Sequence, residues 1–141
     1  MVFDICMQAT TPYLGPETVA LGLVTPKSNV WSFGIMLLEL LTGRQHMNQS
    51  RPKDERNLVK WSMKFVKDER SLALIVDPRL IAGFSIQEAK IVADLAQRCL
   101  HKEPLDRPTM RAAVQILKRI QDMTMSNLPK YPLRKATVHE Q

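Results

Sequence analysis

The sequence predicts an all-helical domain built around one buried helix, and three observations carry that prediction. Apolar residues from Val30 to Leu41 cover nearly the whole circumference of a helix, which is typical of a helix that is buried on all sides. Two later segments, 85–101 and 109–123, each repeat apolar residues at helical spacings of three and four positions. Both segments also open on a residue type that caps helices, Ser85 in the first and Thr109 in the second.

The central helix is predicted to begin after Thr25 and to end at about Thr42. Thr25 is a suitable cap, and Pro26 suits the first helical position because the N–H that it lacks would have no partner there. Gly43 can adopt the left-handed conformation that ends many helices. Gly34, in the interior, costs about 1 kcal/mol relative to alanine, so we expect another part of the backbone to approach the helix closely there.

Weaker signals predict the shorter elements. A helical turn is expected from Pro16, and the polar and charged residues 44–56 predict a long loop. Helices follow over about 57–66 and 71–76. The second of these ends before Pro78, because the residue that precedes a proline avoids the helical region.

Capping signals delimit the last two helices. Ser85 and Glu88 match a capping box that opens a helix to about His101. Thr109 caps a final helix that runs to about Met123.

Composition and charge fit one soluble globular domain. The chain has 141 residues, of which 45% are hydrophobic and 24% charged, and its formal charge is +6. The positive residues are scattered apart from a tail cluster at Lys130, Arg134 and Lys135, so nucleic-acid binding is not expected. Two cysteines and three dispersed histidines predict neither a disulfide framework nor a zinc site, which favours a reducing compartment. We expect no targeting signal at the start and no transmembrane segment, because the apolar run is too short to span ~30 Å of hydrocarbon.

Several motifs resemble those of protein kinases. Gly15-Pro16-Glu17 is similar to the Ala-Pro-Glu signature that closes a kinase activation segment. Just before it, residues 9–13 resemble the P+1 loop, which recognises the residue after the phosphorylated one. Residues 27–34 resemble the start of the family's buried F helix, and residues 37–44 resemble its continuation.

A second set of motifs resembles plant receptor-like cytoplasmic Ser/Thr kinases. These motifs are Arg51-Pro52, Glu55, 57–59, Trp61, 77–80, Cys99-Leu100 and 106–110. Together with the first set they keep the family's order and cover residues 9–123. The resemblance implies the C-lobe portion of the kinase fold, in which G, H and I helices pack around the central F helix. It divides the chain into a partial activation segment over 1–15, a partial kinase domain over 16–126 and a flexible basic tail over 127–141.

The resemblance also assigns roles near the activation segment. Glu17 matches a glutamate that forms an ion pair with an arginine before the I helix, which is Arg107 in this chain. Losing one partner of such a buried pair typically costs ~3–5 kcal/mol, because the other charge stays buried. Thr10 and Tyr13 fall in the P+1 loop, which binds substrate.

Four further residues receive roles in the same way. Met36 and Leu40 match F-helix positions that support the hydrophobic column beneath the adenine in whole kinases. Trp61 and Lys64 lie in the G-helix region, which resembles a surface that kinases use to dock other proteins.

The 141 residues lack the motifs that a kinase uses to hold ATP and Mg²⁺. Phosphoryl transfer needs a glycine-rich loop, a catalytic aspartate and an Asp-Phe-Gly metal ligand, and the sequence contains no Gly-x-Gly-x-x-Gly, His-Arg-Asp or Asp-Phe-Gly. Asn29 stands where family members usually carry an aspartate that accepts N–H bonds from the catalytic loop, and Pro12 stands where plant members usually have glycine. We therefore expect no cofactor in this chain, although ATP and Mg²⁺ serve the parent family, and no catalysis by this chain alone.

Three hypotheses remain open. The chain is a non-catalytic partial kinase domain, a truncated form of an active kinase or, from another class, a helical protein-binding or basic nucleic-acid-binding module. The first predicts no ATP affinity, the second predicts catalytic motifs in upstream coding sequence, and the third predicts steep salt dependence of binding. The resemblance implies protein partners, such as a substrate, a receptor kinase or a scaffold. It also implies a cytoplasmic location, often at the inner face of the plasma membrane.

Overall fold

The computed structural model describes residues 11–127, and within that range the chain forms six α-helices. They are α1 (Pro16–Leu21), α2 (Pro26–Thr42), α3 (Leu58–Ser62), α4 (Glu69–Ala73), α5 (Ile86–Cys99) and α6 (Met110–Asn127). Short 3-10 turns lie at Thr11–Tyr13, Lys53–Glu55, Pro78–Leu80 and Pro104–Asp106. The described part of the chain has no β-strand, only an isolated bridge between Met47 and Asn57. The predicted all-helical class is therefore confirmed.

Helix α2 has the bounds that its local signals predict. At its start, the backbone N–H of Thr25 donates to Ser28 Oγ at 3.1 Å. At its end, Gly43 adopts a left-handed φ of 67°, and its N–H donates to the carbonyl of Glu39 at 2.8 Å. A residue with a side chain would be strained at that φ, so Gly43 fixes the point at which the helix stops.

Helices α2 and α5 form the main packing contact of the molecule. A Cβ added to Gly34 would lie 2.7 Å from Cys99 Cβ and 3.0 Å from Leu100 Cγ, so only glycine fits between the two helices. Ile35 and Leu38, on the same side of α2, are 0% exposed. The close approach expected at Gly34 is confirmed, and it explains why a residue that weakens helices lies in the middle of this one.

On one side of α2, two apolar side chains are not covered within residues 11–127. Met36 is 43% exposed and Leu40 is 65% exposed. The apolar pattern identifies a surface that needs a cover, but no element of residues 11–127 buries these two side chains. An exposed apolar strip beside the core is the result.

The two short helices differ from their predicted bounds. Helix α3 ends at Ser62, earlier than the predicted Val66, although hydrogen-bonded turns continue beyond it. Helix α4 begins at Glu69 because Asp68 caps it. The carboxylate oxygens of Asp68 accept from Ser71 N and Ser71 Oγ, both at 2.9 Å.

The last two helices open on the predicted caps. Glu88 N donates to Ser85 Oγ at 3.2 Å and Ser85 N donates to Glu88 Oε2 at 2.7 Å, which completes the capping box of α5. Thr109 Oγ1 accepts from Ala112 N at 3.1 Å. Helix α6 continues past its predicted end, and Thr124 Oγ1 in this extra turn donates to Glu88 Oε1 at 2.6 Å. The end of α6 is thereby attached to the start of α5.

Two predictions fall beyond the part of the chain just described. Thr10 precedes residue 11, and nearly all of the predicted basic tail follows residue 127. Between those limits, no helix combines the length and the apolar character needed to cross a bilayer.

Candidate functional site

Glu17 and Arg107, 90 positions apart, form a bidentate ion pair. Arg107 Nη1 donates to Glu17 Oε1 and Nη2 donates to Glu17 Oε2, each at 2.8 Å. The Arg107 side chain is 0% exposed and that of Glu17 is 9% exposed. Two parallel bonds between a guanidinium and a carboxylate are among the strongest charge-assisted arrangements in proteins.

Three backbone carbonyls complete the hydrogen bonding of Arg107. Nε donates to His101 O at 2.8 Å, Nη1 to Lys27 O at 2.9 Å and Nη2 to Lys102 O at 3.2 Å. A guanidinium has five N–H donors, and with the two bonds to Glu17 all five have acceptors. This full satisfaction allows a positive charge to remain inside the protein.

Glu17 is equally well held from its side of the pair. Its Oε1 also accepts from Ser28 Oγ at 3.0 Å. The bonds from Arg107 hold the pKa of Glu17 at about 2, although burial opposes that shift. Lys27 Nζ donates back to the carbonyl of Arg107. We call Glu17, Lys27, Ser28 and Arg107 the clasp, because they join α1, the start of α2 and the segment before α6.

A second polar cluster fixes the turn that precedes α1. Tyr13 OH donates to Glu39 Oε1 at 2.6 Å, and the backbone N–H of His46 donates to the same oxygen at 2.9 Å. Ser32 Oγ donates to the Tyr13 carbonyl at 2.8 Å. The bond to Glu39 stabilises the protonated phenol and raises the pKa of Tyr13 to about 12. The turn is therefore attached to the middle of α2.

Sequence reasoning missed Glu39 and His46 as members of this cluster. His46 is 5% exposed, its ring lies 5.6 Å from the Tyr13 ring, and burial lowers its pKa. Glu39 interrupts an otherwise apolar stretch of α2. A charge inside a predicted core helix requires a partner, so Glu39 was the signal that could have revealed the cluster.

The remaining sequence-predicted residues lie apart from these clusters. Asn29 is exposed near the start of α2. Met36 and Leu40 form the exposed apolar strip described above. None of the three belongs to the clasp or to the Tyr13 cluster.

Trp61, which the resemblance places in the G-helix docking region, is buried. Its side chain is 7% exposed and its ring lies 5.0 Å from the Phe65 ring. The Arg44 guanidinium covers it, 3.7 Å from the ring centroid, and Arg44 Nη1 also donates to Glu55 at 2.9 Å. Indole rings bury a large apolar area and attract cations to their faces. Of the two predicted docking residues, Lys64 alone is exposed.

The residues present do not fit ATP and Mg²⁺. A cavity of about 600 Å³ between α2, α5 and α6 is lined mainly by apolar side chains, including Leu37, Leu41 and Leu117. Its one cation, Arg79, is bonded to Asp77 through Nη2 at 2.6 Å. Across residues 11–127, no three His, Cys, Asp or Glu side chains gather where they could ligate a metal. The donor set for a metal-bound triphosphate is therefore not found in this part of the chain.

Comparison with protein families assigns the class. Residues 6–117 match the protein kinase domain, so the chain belongs to the protein kinase family. The clasp and the central helix lie inside the matched range.

The most informative relatives are receptor-like cytoplasmic kinases of plants. The chain is 45% identical over 118 residues to the EPD1-interacting receptor-like cytoplasmic serine/threonine-protein kinase of Nicotiana benthamiana, with 84% of this chain and 26% of that protein aligned. It is 41% identical over 124 residues to the probable serine/threonine-protein kinase PBL15 of Arabidopsis thaliana, with 86% of this chain and 29% of that protein aligned. It is 39% identical over 116 residues to receptor-like cytoplasmic kinase 176 of rice, Oryza sativa subsp. japonica, with 82% of this chain and 29% of that protein aligned.

These relatives confirm the resemblance drawn from the motifs: the chain is of the plant receptor-like cytoplasmic Ser/Thr kinase type, with a C-lobe helical fold. The aligned part is 26% to 29% of the length of these three relatives.

Proposed function

We propose that this chain supplies the C-lobe part of a receptor-like cytoplasmic Ser/Thr kinase domain and does not transfer phosphate by itself. The observation that carries the proposal is the clasp. Its bidentate pair joins Glu17, at the end of the activation-segment motif, to Arg107, ahead of α6. This link would hold the substrate-binding side of the lobe in one position relative to the core.

The absence of transfer by this chain alone is supported by the chemistry that the sequence offers. Phosphoryl transfer depends on positioned metal ions, a base for the attacking hydroxyl and donors around the γ-phosphate. The motifs that supply these groups do not occur in the 141 residues. The described apolar cavity cannot replace them, because it has no free cation and no metal ligands.

Within a complete kinase domain, we assign each side of α2 a task. Tyr13, held by Glu39, would fix the P+1 loop, to which Thr10 also belongs, for contact with a protein substrate. Met36 and Leu40 would support the hydrophobic column beneath the nucleotide, and their exposure fits a surface that another part of a kinase covers. Asn29 would hold the catalytic loop less well than aspartate does, because an amide has one acceptor oxygen.

Proteins are the proposed partners of such a segment. A substrate, a receptor kinase or a scaffold would meet the P+1 loop or the exposed helix faces. The proposed location is the cytoplasm, including the inner face of the plasma membrane.

A transfer assay tests the first part of the proposal. The purified 141-residue chain is incubated with radiolabelled ATP, Mg²⁺ and a general Ser/Thr substrate, with the N. benthamiana relative as the active control. We expect label on the substrate with the relative and none above background with this chain. Transfer that persists through purification and grows in proportion to the amount of chain would overturn the proposal.

A chimera tests the second part. The 118 aligned residues of the N. benthamiana kinase are replaced by the matching residues of this chain, with and without Asn29→Asp. We expect both chimeras to fold and to transfer phosphate. The chimera that carries Asn29→Asp should be about tenfold faster, because hydrogen bonds to a charged group contribute ~1.5–3 kcal/mol. A folded chimera that transfers no phosphate in either form would contradict the assignment as a working C-lobe.

A further inference from the structure

His46 lies where three elements of the fold meet. Its backbone N–H donates to Glu39 Oε1 of α2 at 2.9 Å, and its carbonyl accepts from the N–H of Leu58, at the start of α3, at 2.8 Å. Its ring packs against the Tyr13 ring, with the centroids 5.6 Å apart and the planes inclined by 59°. His46 is therefore attached to the core by its backbone and contacts the Tyr13 turn (Thr11–Tyr13) through its side chain.

The His46 ring is buried but only partly satisfied. The residue is 5% exposed, and Nδ1 has neither contact with solvent nor a hydrogen-bond partner among residues 11–127. A neutral imidazole has one donor nitrogen and one acceptor nitrogen, whereas a charged imidazole has two donors. A proton added at Nδ1 would therefore create a buried N–H without an acceptor, together with a full positive charge. Because both are costly to bury, this environment favours the neutral ring.

Within the described part of the chain, two titratable side chains and one carbonyl face the ring. From the turn, Tyr13 presents its protonated phenol, and the Pro12 carbonyl favours a proton on the ring. From α2, Glu39 attracts a charged ring, but its Oε1 already accepts from Tyr13 OH and from His46 N. Leu58, from α3, adds no charge. Burial lowers the pKa of His46 below its ordinary value of 6.5, and the Pro12 carbonyl and Glu39 oppose this shift only in part.

We propose that His46 is a positioning residue for the Tyr13 turn and holds that turn only while its ring is neutral. A charged ring would have to turn towards water or draw Glu39 away from the Tyr13 hydroxyl, and either movement removes a contact that holds Tyr13. The turn would then be fixed at neutral pH and loosened by acid. The inference deepens the proposed function and rests on it, because it takes the turn to be part of the loop that binds a protein substrate.

Acid should loosen the turn in a pH window of its own. Because the pKa of His46 is lower in the folded chain than in the unfolded chain, the unfolded state binds more protons as the pH falls below about 6.5. The contribution of His46 to stability is therefore present above that pH and is lost as the pH falls through the folded pKa. The contribution of Glu17 is lost only below about pH 4.5, so measurements above that value report on His46.

The Tyr13 ring itself reports whether the turn is held. The chain has two tyrosines, so Tyr131→Phe leaves Tyr13 alone, and labelling tyrosine with carbon-13 gives one set of ring signals by NMR. In the full chain with this substitution, we expect the Tyr13 signal to be constant above about pH 7 and to move towards that of free tyrosine between about pH 6.5 and 4.5. His46→Gln, which cannot be charged, should remove this pH dependence and keep the signal seen at neutral pH.

Two further variants separate positioning of the turn from general stability. His101→Gln removes an exposed histidine that lies 3.4 Å from Asp106, and it should leave the pH dependence of the Tyr13 signal unchanged. His46→Ala empties the space beside Tyr13 and should move its signal towards that of free tyrosine even at neutral pH. Circular dichroism checks that each variant is folded. If His46→Ala does not fold, the comparison of His46→Gln with His101→Gln is sufficient.

A kinetic measurement tests the consequence for substrate binding. In an active chimera that carries the residues of this chain, acidification from about pH 7.5 to about 5.5 should raise KM for the protein substrate at least about twofold more than in the same chimera with His46→Gln. KM for ATP should respond to pH equally in both. An inactive chimera would contradict the proposed C-lobe role but not this inference, which the Tyr13 signal decides by itself.

Three results would overturn the inference. One is a Tyr13 signal that stays constant down to about pH 4.5 in the folded chain, and another is a pH dependence of that signal that persists in His46→Gln. The third is an active chimera whose KM for the protein substrate responds to pH equally with and without His46.

Discussion

The two sides of helix α2 have opposite environments although their residues are equally apolar. On the inner side, Gly34 lies so close to α5 that a single added carbon would collide with Cys99. On the outer side, Leu40 is 65% exposed and borders an open apolar cavity. An apolar pattern therefore predicts that a helix surface is buried. It does not identify which part of a protein buries that surface.

In this comparison, the clasp resembles the inner, buried side of α2. Arg107 reaches the start of α2 through Lys27 and has an acceptor for every N–H. By contrast, no element within residues 11–127 buries the exposed strip of Met36 and Leu40. Substitutions in the clasp or on the inner side of α2 should therefore lower the free energy of unfolding far more than substitutions at Met36 and Leu40.

The largest effect is expected for Arg107→Ala. Removing the guanidinium leaves the Glu17 carboxylate buried without its partner, so we expect the free energy of unfolding to fall by ~3–5 kcal/mol. Urea denaturation followed by circular dichroism measures the change. The control, Arg111→Ala, removes an exposed arginine of α6 and should stay within ~0.5 kcal/mol. Similar losses in both variants would show that the clasp does not stabilise the fold.

Acid should weaken the clasp through Glu17. Its pKa is lowered from 4.5 to about 2 in the folded chain, so its contribution is fully present above about pH 4.5 and is lost as the pH falls towards 2. At ~1.4 kcal/mol per pKa unit, this contribution is about 3 kcal/mol. Urea midpoints are measured for the unmodified chain and for Glu17→Gln across this range. The stability gap between the two should close on acidification, and a constant gap would refute the assignment.

A smaller loss is expected for Gly34→Ala. The new Cβ would meet Cys99 Cβ at 2.7 Å, and overpacking of this kind costs ~1–3 kcal/mol. Gly83→Ala is the matched control, because a Cβ there has no atom within 4 Å. Thermal unfolding of both variants measures the difference. An unchanged midpoint for Gly34→Ala would mean that α2 and α5 can separate freely at this point.

The smallest change in stability is expected on the open side. Leu40→Gln should alter the free energy of unfolding by no more than ~0.5 kcal/mol, because its side chain is exposed. Leu38→Ala, on the buried side of the same helix, should cost ~2–5 kcal/mol. The exposed strip should also cause self-association, which Leu40→Gln reduces in sedimentation experiments. Equal losses of unfolding free energy in Leu38→Ala and Leu40→Gln would contradict the proposed difference between the buried and exposed sides of α2.

Local chemistry made the central helix predictable. Thr25, Pro26 and Gly43 mark its ends within the sequence itself, and the structure keeps those ends. The structure starts α4 at Glu69, before the predicted start at residue 71, because Asp68 caps it. The apolar residues 72–76 lie too late in the sequence to mark this start.

The polar contacts were less predictable because they join distant parts of the chain. No periodicity relates Glu17 to Arg107, and only the resemblance to kinases proposed that they meet. Trp61 shows the opposite difficulty. Its motif suggested a docking surface, but the burial of an aromatic ring depends on tertiary neighbours such as Arg44 that spacing does not reveal.

The contact between Gly34 and Cys99 also allows the separation of α2 and α5 to be measured chemically. The Cys99 side chain is completely buried and burial raises its thiol pKa to about 11, so at neutral pH it is neither accessible nor ionised. A thiol reagent can reach it only when α2 and α5 separate. In a chain whose Cys6 has been replaced, the rate of alkylation would therefore report how often these two helices part.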